Sequence, residues 1–443
     1  MRRYHLTTFG CQMNSHDSER IKGMLESLGL GEATSKEEAD IVVFNTCTIR
    51  EKPDTKLSAY LGDAGARKRE NPDLVIAVGG CYAEAQQERI FDLYPQVDVA
   101  FGPGSIPHLA DWVGVGGVGV ERGRFGTHEH FAADLPQHRE RGAHAWVQVS
   151  MGCNSSCSYC IVPAVRGREQ SRRPGDIVAE VTQLAADGVR EITLLGQNVN
   201  SWGRDLAPDI RTEFGELLRA CDAVEGIERI RFTSPHPKDF RDPVIAAMAE
   251  CDGVCEHIHL PLQSGSSRIQ KAMRRTYTRE RYLALVAKLR AAIPDLALGT
   301  DVIVGFPTED DDAWRRSMAF IGELGLAGLH VFRYSERPGT AALRMAGRVP
   351  EDVRRERSAE LLAHAAERRR VFAAEQVGST ARVLFERRTD DGRWAGHAEN
   401  HVLVAAPGDR LENAIGDVAI GCVDGDRCEG TMAGIVSGGR RAE

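Results

Sequence analysis

No run of apolar residues comes near the roughly 18 needed to cross a bilayer, so the chain offers nothing for a membrane role. Its start, MRRYHLTTFGCQMN, has no apolar core of a secretory signal, and its eleven cysteines are therefore expected to face a reducing cytoplasm. Positive charge is not in excess either. The net charge of -8 at pH 7 excludes whole-surface attraction to nucleic acid and confines any RNA contact to a local basic patch. Aromatics are scarce toward the C-terminus, where Phe385 and Trp394 are the main candidates for stacking on a base. One missing ligand says more than these. Cys153, Cys157 and Cys160 lie within eight residues, but no second Cys-x2-Cys pair follows at the distance of about 12 to 20 residues that a structural zinc site uses. Three thiolates without a fourth suit a [4Fe-4S] cube that leaves one iron open to an exogenous chelator. The competing reading is a zinc loop that borrows His144 or a more distant histidine.

With 443 residues and 42% hydrophobic content, the chain is long enough for about three domains. The first reads as a parallel α/β unit. The apolar runs Tyr4 to Phe9, Ile41 to Phe44 and Leu74 to Val78 each end in a polar or glycine turn and then a cysteine, namely Cys11, Cys47 and Cys81. These cysteines are 36 and 34 positions apart, room for one βαβ unit each. Right-handed crossovers bring the carboxyl ends of parallel strands to one edge, where such sheets bind ligands, so three distant thiols are expected to converge. Ser15-His16-Asp17 is read as the cap of a helix that carries Ile21, Met24, Leu25 and Leu28 on one face and stops at Gly29. The alternative is three unrelated buried cysteines. A polar connector follows, with Gly116-Gly117, Arg122, Arg124, His128, His130, His138, Arg139 and Arg141; its histidines read as solvated.

Strand patterns resume at Ala145 to Val149, Glu191 to Leu195, Arg229 to Phe232, His257 to Leu260, Leu298 to Val304 and Leu329 to Tyr334, and every gap leaves room for a helix. Asp176 is read as the cap of one such helix, through Ile177, Val181 and Leu184 to Gly188. Six βα units make a partial barrel, whose chemistry sits at the carboxyl ends of its strands. The polar exits there include Gln197, Asn198, Gln263, Asp301 and Glu309, with Gly305 and Pro307, beside His236 and Lys238; Gln197, Gln263, Asp301 and Glu309 are polar contacts for a ligand or, equally, helix-cap and turn residues. His236 and Lys238 are an acid or base, or turn chemistry. Cys221, Cys251 and Cys255 read as packing residues. From about residue 375, short β runs (Ala381 to Phe385, Val402 to Ala405, Asp417 to Cys422) alternate with turns, the texture of a small barrel. The stretch 344–388 carries 11 Arg against 7 acidic residues. It suits an RNA backbone, or a helix laced with Arg and Glu pairs such as Arg354-Arg355-Glu356-Arg357 allows.

The spacing Cys-x3-Cys-x2-Cys resembles that of radical S-adenosylmethionine (SAM) enzymes. Together with Thr8-Phe9-Gly10-Cys11-Gln12-Met13-Asn14, Asn45-Thr46-Cys47 and Leu194-Leu195-Gly196-Gln197-Asn198-Val199-Asn200, the whole chain resembles the methylthiotransferase family, in its bacterial tRNA-modifying branch. The resemblance implies an α/β protein with a Rossmann-like cluster domain over 1–118, a linker over 119–142, a partial (β/α)6 radical SAM core over 143–372 and a TRAM RNA-binding barrel over 375–440. It implies one [4Fe-4S] cluster on Cys11, Cys47 and Cys81 and a SAM-cleaving one on Cys153, Cys157 and Cys160. SAM itself would be held by Gln197, Gln263, Asp301, Gly305, Pro307 and Glu309, with Arg166, Arg168, Arg172 and Arg173 able to meet phosphates. The implied substrate is N6-(dimethylallyl)adenosine beside the anticodon of tRNA, which gains a 2-methylthio group. A flavodoxin or ferredoxin is the expected electron donor, and a cytoplasmic monomer the expected state. The runner-up readings are methylthiolation of a ribosomal-protein aspartate, and a noncatalytic Fe-S or zinc RNA-binding protein.

Overall fold

The computed structural model describes residues 2–48, 51–113, 122–126, 135–139 and 142–437. Its first domain runs β1 (Arg3–Thr8), α1 (Gln12–Ser27), β2 (Gly31–Glu32), β3 (Ile41–Thr46), α2 (Glu51–Glu70), β4 (Val75–Gly80), α3 (Cys81–Gln86), α4 (Arg89–Leu93), β5 (Val99–Phe101), α5 (Leu109–Val113) and β6 (Gly123–Arg124). The six strands are all parallel, in the order β2-β1-β3-β4-β5-β6. β3 and β4 are buried along their whole length, as central strands covered on both faces must be. Ile21 and Leu25 of α1 fill the core on one face, Leu57 and Leu61 of α2 the core on the other.

Three expectations about boundaries change. The first helix begins at Gln12 with Cys11 as its N-cap, not at Ser15; Ser15, His16 and Asp17 lie inside it. Gly123 and Arg124, placed in a linker by composition, form the edge strand beside β5. Residues 135–139 lie along α1: His138 pairs with Glu26 at 2.8 Å, and a Cβ on Gly23 would come within 2.4 Å of the Pro136 carbonyl oxygen. His128, His130 and Arg141 lie outside the described residues.

The second domain contains β7 (His144–Gln148), β8 (Ser150–Met151), α6 (Val162–Arg166), β9 (Gln170–Ser171), α7 (Pro174–Ala186), β10 (Glu191–Leu195), α8 (Phe214–Asp222), β11 (Arg229–Phe232), α9 (Asp242–Glu250), β12 (His257–His259), α10 (Ser267–Ala272), α11 (Arg279–Ala292), β13 (Ala297–Val304), α12 (Asp311–Glu323) and β14 (Gly328–Arg333). Two parallel three-stranded sheets, β7-β10-β11 and β12-β13-β14, are joined by a parallel bridge between Ile230 and Val254. They form the half-barrel the six strand patterns predict. One large core lies between these strands and the surrounding helices, with Ile192, Leu194, Ile230, Ile258, Leu298 and Val302 facing it. Asp176 lies in the first turn of α7, whose N-cap is Arg173. Cys221, Cys251 and Cys255 are buried.

A 25-residue helix, α13 (Glu351–Glu375), leads to a closed barrel of β15 (Thr380–Arg388), β16 (Trp394–Ala398), β17 (Leu403–Ala406), β18 (Ile415–Asp424) and β19 (Arg427–Ser437). Sequence patterning found three of these strands. β16 (WAGHA) and β19 (RCEGTMAGIVS) are rich in Gly and Ala, which blunts the alternation that signals a strand. Phe385 is fully buried in the barrel core, so it is not a stacking platform, and Trp394 packs partly against the same core. Within α13, Arg354 pairs with Glu351 and Arg370 with Glu367, as a laced helix does, while Arg357 pairs with Glu309 and Arg369 with Asp426 outside it. The small barrel docks at the amino ends of the half-barrel strands. Arg229 donates to the His397 carbonyl at 3.0 Å and Arg231 to those of Ala398 and Glu399 at 2.7 and 2.9 Å, while Glu191 pairs with both arginines.

Candidate active site

Because β1, β3 and β4 are adjacent, the cysteine that follows each reaches one edge of the sheet. Cys11 caps α1, Cys47 follows β3 directly, and Cys81 opens α3. Two glycines make the approach possible. A Cβ on Gly10 (φ +132°) would sit 2.5 Å from the Cys47 Cβ, and one on Gly80 (φ +93°) 2.4 Å from the Thr46 carbonyl oxygen. The Cys11 and Cys47 thiols hydrogen-bond, and this contact, aided by Arg166 and by backbone amides at the start of α1, lowers the Cys11 thiol to about 6 against the burial that raises it. Burial pushes the Cys81 thiol up, opposed by Arg166. Behind the thiols, Asn14 accepts from Cys11 Sγ at 3.8 Å and donates to the Phe9 carbonyl, and Asn45 donates to the Asn14 carbonyl at 2.8 Å.

The second triad is on the loop after β8. Gly152 (φ +74°) turns the chain under Cys153; a Cβ there would meet the Arg168 carbonyl oxygen at 2.1 Å. Ser158 ties the loop to the end of α10, its amide donating to the Met273 carbonyl at 3.0 Å and its hydroxyl to that of Ala272 at 2.9 Å. Tyr159 packs edge-on against Phe306. Arg275 sends Nη1 to within 3.5 Å of Cys157 Sγ and Nη2 to the Pro261 carbonyl. Burial opposes its charge, but Tyr277, Tyr159 and Cys157 more than offset this. Burial raises Cys153 and pushes Cys160 up to about 12, so deprotonation of these thiols is coupled to metal binding. Each triad offers three thiols, a donor set that holds a [4Fe-4S] cube with one iron open, whereas a structural zinc site closes with four protein ligands. The residues present fit [4Fe-4S] clusters better than zinc.

The two triads are neighbours. Ile161 and Val165, on and before α6, pack directly on Cys81. The next residue, Arg166, crosses the domain boundary and donates to Asp17 at 2.6 Å and to Asn14 at 3.4 Å, with both members of the ion pair at most 5% exposed. Burial disfavours its charge, but Asp17, Cys81 and Cys11 hold it protonated. Arg166 is thus an interdomain tie, not a phosphate ligand. Arg172 is likewise buried, bonded to Glu180 and the Gln148 carbonyl; Arg168 and Arg173 are exposed. Sequence reading missed Arg275 and the role of Arg166, since nothing in Arg274-Arg275 or Val165-Arg166-Gly167 separates a buried guanidinium from an exposed one.

At the strand ends, both amide atoms of Gln197 and Oε1 of Gln263 are buried without a hydrogen-bond partner, which fits residues that await a polar ligand. Gln263 holds φ +68°. Asp301 is instead engaged by His259 and His330. Glu309 is locked onto the Gly305 amide and Arg357, both at 2.9 Å, and a Cβ on Gly305 would strike the Arg354 side chain at 2.2 Å. Gly305 and Glu309 therefore shape their loop, with Pro307 buried within it. His236 Nδ1 accepts from the Lys238 amide, and burial with Arg275 pushes the ring down to about 2, so the turn reading displaces the acid one. A surface groove between Arg173, Asp176 and Glu216 is lined by residues of α7 and α8 and by none of the six triad cysteines.

A parallel thiol-bearing domain joined to a half-barrel with a three-cysteine loop defines a radical SAM enzyme with an added N-terminal domain. Residues 147–321 match the radical SAM superfamily, and residues 3–102 match an uncharacterized protein family, UPF0004. The fold is shared with the radical SAM methyltransferase TsrM from Kitasatospora setae, bound to cobalamin and a [4Fe-4S] cluster, at TM-score 0.55 and 16% identity over 77% of each chain. It is shared also with the cobalamin-dependent radical SAM enzyme OxsB, at TM-score 0.54 and 13% identity over 90% of this chain and 63% of that one. Proteins named tRNA-2-methylthio-N(6)-dimethylallyladenosine synthase are far nearer in sequence. The one from Acidothermus cellulolyticus is 45% identical over all of this chain and 92% of its own, and that from Thermobifida fusca 46% identical over 91% and 83%. The chain belongs to this methylthiotransferase family.

Proposed function

We propose that the protein converts N6-(dimethylallyl)adenosine next to the tRNA anticodon, at position 37, to its 2-methylthio derivative. The observation that carries this reading is the pair of three-cysteine sites held side by side across α6, joined to relatives that bear the name of this reaction. When bound, the clusters and SAM supply the electron, the methyl group, the sulfur and the hydrogen-abstracting radical that no side chain provides. Cys153, Cys157 and Cys160 would hold the SAM-cleaving cluster, and Cys11, Cys47 and Cys81 the sulfur-donating one. Arg275 faces the first group and Arg166 the second, each a buried cation that stabilises thiolate charge. Gln197 and Gln263 offer free amide atoms to SAM, while Pro307, Gly305 and Glu309 set the backbone beside it. The target base must leave its stack to reach the strand ends, a cost of a few kcal/mol that an anticodon loop lessens. A small reducing protein such as a flavodoxin or ferredoxin completes the reading. Among the described residues no helix is long and apolar enough to cross a membrane.

The test is mass spectrometry of nucleosides from isopentenylated tRNA incubated anaerobically with cluster-loaded protein, SAM and a strong reductant. A methylthio gain on the modified adenosine is expected. SAM cleavage with unchanged RNA, and a methylthiolated ribosomal protein instead, would replace the tRNA reading with the other. In Cys157→Ala, SAM cleavage should vanish while roughly half the cluster iron remains on the N-terminal site; loss of all iron would contradict two independent clusters.

A further inference from the structure

Three polar side chains inside the half-barrel have no part in the reading above. Along β12, β13 and β14, Ile258, Leu298, Val302 and Leu329 face the helix-covered core. Strand alternation then puts His259, Gly299, Asp301 and His330 on the opposite, lumen face. Asp301 pairs directly with His330 across β13 and β14, and His259 pairs with Gly299, the next lumen position before Asp301. Gly299 makes room for the imidazole: a Cβ there would lie 3.1 Å from His259 Nδ1. Nε2 of His259 is 2.8 Å and Nδ1 of His330 3.3 Å from the same Asp301 Oδ1. All three ligand atoms fall within 4.8 Å of one another, and the two rings stack at 5.0 Å between centroids.

We propose that His259, Asp301 and His330 form a site for one divalent transition-metal ion, distinct from both cysteine triads. Two imidazoles and one carboxylate are ligands that zinc and its neighbours in the first row prefer. Bonds of about 2.0 to 2.2 Å around a tetrahedral or octahedral ion set adjacent donors about 2.9 to 3.5 Å apart, close to the separations found here. Asp301 and His259 are about a fifth exposed and His330, on the edge strand, is 68% exposed, so an ion has a route in. Three protein ligands leave a coordination position open toward the lumen, as in sites that hold a water or an incoming lone pair. The competing arrangement has no ion, and Asp301 merely bridges two imidazole N–H groups.

Zinc uptake by the cluster-loaded full chain separates the two. Protein equilibrated anaerobically with Zn2+ and dialysed should retain one zinc per chain with its iron content unchanged. His330→Ala, a change at an exposed edge position, and the near-isosteric Asp301→Asn should each weaken zinc retention at least tenfold. His108→Ala, on an exposed histidine elsewhere, should leave it intact. Wild-type protein without stoichiometric zinc, or His330→Ala with undiminished zinc, would overturn the site. Co2+ gives a second readout that does not depend on the variants. Its EPR signal, visible beside oxidised diamagnetic clusters, should report nitrogen and oxygen ligands, and a cobalt–thiolate signature would place the ion on cysteines and end the proposal.

Discussion

At the residue scale, the N-terminal site depends as much on what is absent from Gly10 as on the thiols. Any side chain there meets the Cys47 Cβ at 2.5 Å, in a backbone conformation that L residues avoid. Gly10→Val should therefore lose about half of the cluster iron while SAM cleavage persists, as iron analysis and deoxyadenosine production would reveal; full iron retention would refute the packing argument. Cys11 carries a pH prediction. Its thiol is depressed from an ordinary 9.0 to about 6, so in the metal-free protein the thiolate dominates above pH 6 and is lost as pH falls through that value. Alkylation of Cys11 should rise with pH around a midpoint near 6, whereas Cys160, at about 12, should stay inert through neutral pH. A Cys11 midpoint near 9 would mean that neither Cys47 nor Arg166 acts on it. All six cysteines were legible in sequence, three by local spacing and three by their shared place after a strand. The glycines beside them were legible as turns, but the close approach each permits is a fact of the folded chain.

At the scale of elements, the short helix α6 does more than its length suggests. Its apolar residues pack on Cys81 and its last residue, Arg166, enters the other domain. Arg166→Gln would leave Asp17 buried without its cation, a loss of about 3 to 5 kcal/mol. Denaturant unfolding should register that loss. Arg166→Lys should restore only part of it, because the shorter side chain would have to bring its one nitrogen to the place where Arg166 Nη2 reaches both Asp17 and Asn14. A variant as stable as wild type would show that the domains are held by apolar packing alone. The helix start at Cys11 illustrates why boundaries were read less well than elements. Ser15, His16 and Asp17 are good cap residues by type, yet the sheet edge fixes where the chain can turn, and the cysteine itself takes the cap.

At the scale of the molecule, the two ends of the half-barrel are divided between tasks. Both cysteine triads lie at the carboxyl ends of strands, while the C-terminal barrel closes the amino ends through Arg229, Arg231 and Glu191. Arg231→Ala would strip two carbonyl oxygens and one carboxylate oxygen of a donor, and the small barrel should loosen. Limited proteolysis in the connection at 376–379 should then quicken about tenfold or more, in line with 1.4 kcal/mol per decade in the open population, with SAM cleavage unchanged. An unaltered digestion rate would mean that α13 alone fixes the barrel. The order of the three domains and the class of each followed from strand spacing, because a half-barrel strand and its helix recur at a length the chain displays openly.

The sequence by itself determined the residues on which the proposed chemistry rests: three loop thiols with no fourth beside them, three more after successive strands, and glutamines at strand ends. These depend on residue type and spacing, which folding does not alter. Tertiary structure alone decided which charges are buried. Arg166, Arg172 and Arg357 read like any surface arginine until the domains meet around them. It decided also that His259, Asp301 and His330, which lie 42 and 29 positions apart, converge on one oxygen. Parallel strands bring residues together across whole helical crossovers, and no local pattern carries that register.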